Sequence, residues 1–287
     1  MPDNFDKSDH RENIENMQKN ITSERYCNHS VNQHDHHRYL ISLFAKTAAM
    51  KRGLWALYAF NYEIAKTREV VTDTTLGLIR LVWWREALRM IYAMPTEQKR
   101  SLDDHPLLPE LAKAITDFEI PYALFDQILL GREFDLEDIQ PQNIEGLLAY
   151  LDNTNAPLLE ITALICDQDL PDTQRMALGR ACGIAGILRA IPFHAQHDIV
   201  MLPSELISKD AMLSGDKTLV PQAVEALALS AATQLDTIGA LKKGPLKAQK
   251  RLAQLDLNHI KKYGYAPHHN KYSHPTAFLA LRLSIGR

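Results

Sequence analysis

Apolar residues recur at intervals of three and four along most of the chain, while the alternation typical of strands is absent. Most prolines fall between the periodic segments or in their first turns, where helices begin and end. The fold class is therefore expected to be all-α, as a single-domain antiparallel helical bundle. Helices are predicted over residues 36–48, 50–71, 75–93, 106–117, 121–130, 143–152, 155–167, 172–191, 221–241, 245–263 and 275–284.

Two of these helices meet in the stretch 54–92, whose bulky residues should anchor the core. In its second helix, the three/four spacing predicts a buried face formed by Ile79, Trp83, Ala87 and Met90. The function is also expected to depend on this pair of helices, because polar residues interrupt the apolar run at the end of the first helix.

The first part of the chain has almost no apolar spacing. Residues 1–33 are therefore predicted to form a disordered polar tail, and 34–287 to form the folded domain. The tail is rich in acids and poor in arginine, which is unlike a transit peptide, and it lacks the apolar centre of a signal peptide. With no apolar run near 18 residues, the sequence predicts a cytoplasmic protein and leaves peripheral contact with a membrane open.

Charge and cysteine usage narrow the range of possible functions further. The net charge of −3 provides no electrostatic footprint for nucleic acid. Cys27, Cys166 and Cys182 form no CxxC spacing, so no disulfide framework is expected. The cluster His34 to His37 has two interpretations, a metal site or a helix start with Asp35 as the N-cap.

The predicted helix 172–191 contains three glycines, Gly179, Gly183 and Gly186. Each costs about 1 kcal/mol relative to alanine in a helix interior. Glycines at such positions indicate close approach of another backbone or of a ligand.

Five segments then match a known pattern in order and spacing. They read RYLISLFA, LWALYAFNYEIAKTRE, GLIRLVWWREAL, His105-Pro106 and GILRAIPFHAQHDIVMLP. Over about residues 35–205 the chain resembles the squalene/phytoene synthase family. The resemblance implies an isoprenoid synthase-like bundle around a central cavity. It is strongest to a divergent branch that includes an assembly factor for mitochondrial respiratory complex I.

Enzymes of this family join two prenyl diphosphates head to head, and two acidic motifs hold the Mg²⁺ that neutralises the leaving diphosphate. The first motif, of the form DDxxD, falls here on Ala65, Lys66 and Glu69, so one acid of three persists. Lys66 thus places a cation where the resemblance would place a metal. Glu69 is either a remnant of the motif or a surface charge that pairs with a neighbouring lysine or arginine.

The second motif, of the form NxLRDxxxD, falls on Gly186, Ala190 and His194, and both of its aspartates are absent. Arg189 persists within it and either holds an anionic ligand or pairs with an interior carboxylate. Tyr150 resembles a tyrosine of the enzymes' pocket. The resemblance therefore implies a scaffold whose metal-binding acids have been lost.

The function predicted from these residues is that of a non-catalytic family member, a pseudoenzyme with an assembly-factor-like role toward respiratory complex I or a role in binding a lipid or prenyl chain. Its partners would be a protein of that assembly or a lipid-like ligand. No catalytic residue, metal ligand or cofactor is expected. The alternative is an active head-to-head prenyltransferase, which would require Mg²⁺. The candidate residues of the vestigial pocket are Asn61, Lys66, Glu69, Tyr150 and Arg189.

Overall fold

The computed structural model describes residues 22–71, 73–95, 104–272 and 279–284. Within these ranges every regular element is helical, which confirms the all-α fold class. α1 occupies residues 22–34 of the described chain. The other helices are α2 (His36–Ser42), α3 (Ala48–Ala65), α4 (Thr67–Val70), α5 (Thr74–Ala93), α6 (Leu108–Asp117), α7 (Tyr122–Asp135), α8 (Ile144–Ile165), α9 (Asp172–Ala195), α10 (Lys209–Leu213), α11 (Leu219–Asp236), α12 (Pro245–Lys262) and α13 (Leu279–Ser284).

The chain packs as two compact units, Met1–Phe125 with Leu164–Asp167, and Asp126–Ala163 with Gln168–Arg287. The prediction of a single domain stays a prediction. In the first unit α3 is the central helix and packs on α2 and α6. Its Phe60 ring meets those of Trp84 and Phe125 edge to face, with centroids 5.5 and 5.3 Å away.

The predicted boundary of the polar tail is wrong for residues 22–33, which belong to α1. Cys27 and Val31 lie four residues apart and are fully buried, while Ser23 donates to the carbonyl of Pro106 at 2.5 Å. This buried face uses small and polar residues, so a count of large apolar residues does not detect it. Residues 1–21 of the predicted tail lie outside the described residues.

The predicted buried face of α5 is also wrong. Ile79, Trp83 and Met90 are exposed, and of the predicted set only Ala87 is buried. α5 is apolar on both sides, so its periodicity does not determine which side faces the core. The residues that α5 does bury are Gly77, Leu81, Trp84, Ala87, Leu88 and Ile91.

In the second unit α9 forms the core and packs against α11 and α12. A Cβ added at Gly179 would lie 2.8 Å from the Cα of Ala156 on α8, and one added at Gly183 would lie 2.4 Å from the side chain of Leu151. These two glycines therefore allow the close approach of α8 that the sequence indicated. Gly186 does not, because its added Cβ would meet nothing within 4 Å.

α8 is one helix, although two were predicted with a break near residue 153. Asn153 and Thr154 donate from their side chains to the carbonyls of Ala149 and Tyr150, four residues earlier, both at 2.9 Å. Bonds of this kind let polar residues stay inside a helix. Pro157 also lies within α8.

α9 runs past Pro192, where it was predicted to stop, and ends at Ala195. A proline lacks the N–H that would bond to the carbonyl four residues earlier, here that of Leu188. The buried hydroxyl of Tyr272 donates to this carbonyl at 2.9 Å. A side chain 84 residues further along the sequence thus replaces the missing backbone bond.

By length and apolar composition, α9 alone among the described helices could cross a membrane, but half of its most apolar window is buried inside the fold. Its packing on α11 and α12 identifies it as a core helix of the second unit.

Candidate functional site

A buried glutamate on α3, Glu63, is the centre of a polar cluster in the first unit. Its side chain is 2% exposed. Oε1 accepts hydrogen bonds from the Tyr26 hydroxyl at 2.8 Å and from Lys66 Nζ at 2.6 Å. Oε2 accepts from Arg80 Nη2 at 2.9 Å and lies 4.0 Å from His105 Nε2. We call these five residues the Glu63 cluster; they join α1, α3, α5 and the segment before α6.

The Glu63 cluster contains more positive than negative charge. Burial alone would raise the pKa of Glu63, but Lys66, Tyr26 and the nearby His105 together hold that pKa below its ordinary value. The carboxylate is therefore ionised at neutral pH. Because Lys66 and Arg80 both pair with this one carboxylate, the cluster has a net positive charge even with His105 neutral.

Aromatic rings surround the cluster. Lys66 Nζ lies 5.0 Å from the ring centroid of Tyr62, and the His34 ring stacks on Tyr62 with ring centroids 4.3 Å apart.

 The planes of the His34 and Tyr62 rings are 4° from parallel, so His34 stacks directly on Tyr62. His105 in turn meets the ring of Trp84, with ring centroids 5.1 Å apart.

The histidine-rich segment before α2 is a helix start. The Asp35 side chain accepts from the backbone N–H of Arg38 at 3.2 Å and pairs with its guanidinium at 2.5 Å. Asp35 is thus the N-cap of α2, which confirms that interpretation of the cluster.

Acidification is expected to destabilise the first unit through His105. Burial lowers the pKa of His105, while Glu63 opposes this shift and Lys66 and Arg80 add to it. Since the unfolded chain then binds a proton more readily, stability is highest above the ordinary histidine pKa of about 6.5 and falls as the pH drops below it. Thermal melting between about pH 7.5 and pH 5.5 measures this slope. In His105→Gln the slope should be smaller, and an unchanged slope would contradict the assignment to His105.

The second unit holds the other two candidate residues on separate helices. The Tyr150 hydroxyl on α8 accepts from Arg132 at 3.0 Å. Arg189 on α9 pairs with Asp256 of α12, whose pKa is raised by burial and lowered in part by Arg189. Of the two interpretations of Arg189, the structure thus shows the pair with an interior carboxylate.

Of the candidate residues in the first unit, Lys66 joins the Glu63 cluster, Asn61 is buried on α3, and Glu69 is exposed on α4. Sequence reasoning missed Glu63 itself. A glutamate within the apolar run of α3 needs a partner, and Arg80 within the apolar α5 needs one too, so their occurrence together was the available signal.

Comparison with known proteins gives a family and a fold. The sequence model of the squalene/phytoene synthase family matches residues 31–258. The chain is similar in structure to a squalene synthase, HpnC, from Alicyclobacillus acidocaldarius (TM-score 0.70, 17% identity, covering 85% of this chain and 95% of that one). It is also similar to a dehydrosqualene synthase (TM-score 0.74, 16% identity, covering 93% and 96%). These likenesses show an isoprenoid synthase-like fold.

Sequence relatives bear a different name, complex I assembly factor 6 of NADH dehydrogenase (ubiquinone). The Bos taurus protein is 33% identical over 187 residues, 64% of this chain and 54% of that protein. The Homo sapiens protein is 32% identical over the same shares. A Drosophila melanogaster homolog is 25% identical over 201 residues, 66% of this chain and 57% of that protein. The matches thus span about half the length of these relatives.

The residues present do not fit the Mg²⁺ that the family fold implies. Ala65 and Ala190 have no side-chain oxygen, and Lys66 brings a positive charge to the first motif. Within the described ranges, no three His, Cys, Asp or Glu side chains lie together so that they could share a metal ion. The nearest buried carboxylate, Glu63, already accepts from two cations.

Proposed function

The chain belongs to the squalene/phytoene synthase family, and from the Glu63 cluster we propose that it is a non-catalytic member that acts as an assembly factor for NADH dehydrogenase complex I. The partner would be a protein of the complex under assembly. We propose no metal or cofactor for this role. A prenyl or lipid-like ligand and peripheral contact with a membrane remain predictions from the sequence.

The observation that supports this proposal is the charge at the first motif. A family enzyme needs carboxylates there to bind Mg²⁺, which in turn neutralises the leaving diphosphate. Here Lys66 and Arg80 are paired with Glu63 at 2.6 and 2.9 Å. A divalent cation at this place would be repelled by both side chains. The family mechanism of ionisation therefore lacks its metal-binding acids.

Deletion of the gene tests the assembly role. The amount of intact complex I on native gels and NADH dehydrogenase activity in membranes are expected to fall several-fold, and a plasmid copy should restore both. Glu69→Gln, which removes the remaining acid of the first motif, should restore them equally well. Normal complex I in the deletion strain would overturn the proposal.

Incubation of the purified protein with farnesyl or geranylgeranyl diphosphate and Mg²⁺ tests the enzymatic alternative. No coupled product is expected, because the metal-binding acids are absent. A product whose formation is lost in Arg189→Ala would instead establish a head-to-head prenyltransferase.

A further inference from the structure

α12 carries a row of cations along one side. Its lysines and arginines recur at a spacing that places all of them on roughly one third of the helix circumference. We call these residues the basic stripe of α12: Lys247, Lys250, Arg251, Lys261 and Lys262. The first three are half-buried and the last two are exposed. The opposite side of α12 is mainly apolar and packs with α9 and α11 in the second unit.

The basic stripe has no acidic partner in the part of the chain that the structure describes. None of its five side chains pairs there with a carboxylate, although Lys250 donates to the carbonyl of Ile238 at 2.6 Å. The single acid in the sequence of α12, Asp256, is buried on the other side of the helix and pairs with Arg189. The positive charge of the stripe is therefore available to an anion outside the protein.

Charge is distributed unevenly along the sequence around this helix. Residues 242–271 contain eight lysines and arginines but one acid, which gives the segment a formal charge of +7 in a chain whose net charge is −3. The rest of the chain is therefore strongly acidic. An anionic partner is attracted to this segment and repelled by most of the remaining surface, so the charge distribution favours one orientation of contact.

A row of lysines is better suited to many phosphates than to one protein partner. Protein interfaces bury an apolar centre with aromatic residues and are depleted in lysine, whereas the side of α12 that carries the stripe has Gln254 and Asn258 between its cations. Four of the five cations are lysines, which lack the bidentate geometry by which arginine recognises a particular carboxylate. Clusters of about four to eight cations attract anionic phospholipid headgroups.

We propose that the basic stripe of α12 is a docking surface for an anionic phospholipid membrane. The 18 residues of α12 span about 27 Å, so a helix lying along the membrane brings several cations to headgroup phosphates at once. Because the apolar side of α12 is buried within the second unit, the helix does not insert and the contact is electrostatic. This inference does not depend on the proposed assembly role.

Co-sedimentation of the full chain with phospholipid vesicles tests this surface. We expect binding to vesicles that contain about one third phosphatidylglycerol, and none to pure phosphatidylcholine. Binding should be lost between about 0.05 and 0.5 M salt, because salt screens the charges. The double variant Lys247→Gln, Lys261→Gln removes one cation near each end of the stripe, and it should weaken binding at least about tenfold.

The matched control is the double variant Lys113→Gln, Lys209→Gln. It removes the same charge from two exposed lysines that pair with carboxylates, at 2.7 and 3.1 Å, and it should bind as the wild type does. Lys247→Arg combined with Lys261→Arg keeps the charge of the stripe and should also bind normally. Equal melting temperatures verify that the variants are folded.

Three results would overturn the proposal: no binding to the anionic vesicles at low salt, equal binding to the neutral vesicles, or an equal loss of binding in the two glutamine variants. Binding to duplex DNA without binding to the vesicles would overturn it in favour of a nucleic-acid surface.

Discussion

Gly179→Ala is expected to lower the free energy of unfolding by about 2–3 kcal/mol, although alanine is the better helix former by about 1 kcal/mol. The new Cβ would lie 2.8 Å from the Cα and 3.1 Å from the backbone nitrogen of Ala156. Backbone atoms cannot relieve the clash by a rotamer change as a side chain can, so α8 and α9 must move apart. Urea denaturation followed by circular dichroism measures the loss.

The control for this substitution lies two turns further along the same helix. Gly186→Ala adds a Cβ that meets nothing within 4 Å, and it should therefore raise the free energy of unfolding by about 0.5–1 kcal/mol. The two substitutions are chemically identical but should have opposite effects. If Gly179→Ala stabilised the protein as well, α8 and α9 would not be in contact at this point.

Glu63→Gln is expected to lower the free energy of unfolding by about 2–3 kcal/mol. It leaves Lys66 and Arg80 close together without the carboxylate that both contact. Loss of one partner from a fully buried ion pair costs about 3–5 kcal/mol, and the partial exposure of both cations reduces that figure. The expected loss is measured by chemical denaturation at neutral pH.

Glu69→Gln provides the comparison, because Glu69 is an exposed carboxylate six residues away. Its effect on the free energy of unfolding should stay within about 0.5 kcal/mol, as for most surface substitutions. Equal and small effects at the two positions would show that the Glu63 cluster does not stabilise the first unit.

Local patterns predicted most of the helices, because their apolar spacing and their prolines act within one or two turns. The errors come from contacts between distant residues. Ile79 and Trp83 repeat as regularly as the buried Leu81 and Trp84, and only packing distinguishes the two faces. α9 passes Pro192 because of a hydroxyl from a residue far along the chain.

The candidate site was predicted in part. Lys66 and Glu69 followed from the aligned motif, and the structure places Lys66 beside a buried carboxylate. That carboxylate, Glu63, was missed because two of its other partners, Tyr26 and Arg80, belong to different helices. No spacing within α3 reveals them.

The hydrogen bond from Tyr272 to the Leu188 carbonyl has a consequence for the order of synthesis. The two residues are 84 positions apart, so the ribosome makes α11 and α12 before it makes Tyr272. In a nascent chain that does not yet include Tyr272, the Leu188 carbonyl in α9 lacks this hydrogen-bond donor. The second unit therefore receives this donor only after α11 and α12 have been translated, and a chain truncated before Tyr272 has its defect at Leu188 in the core helix and not at the end that was removed.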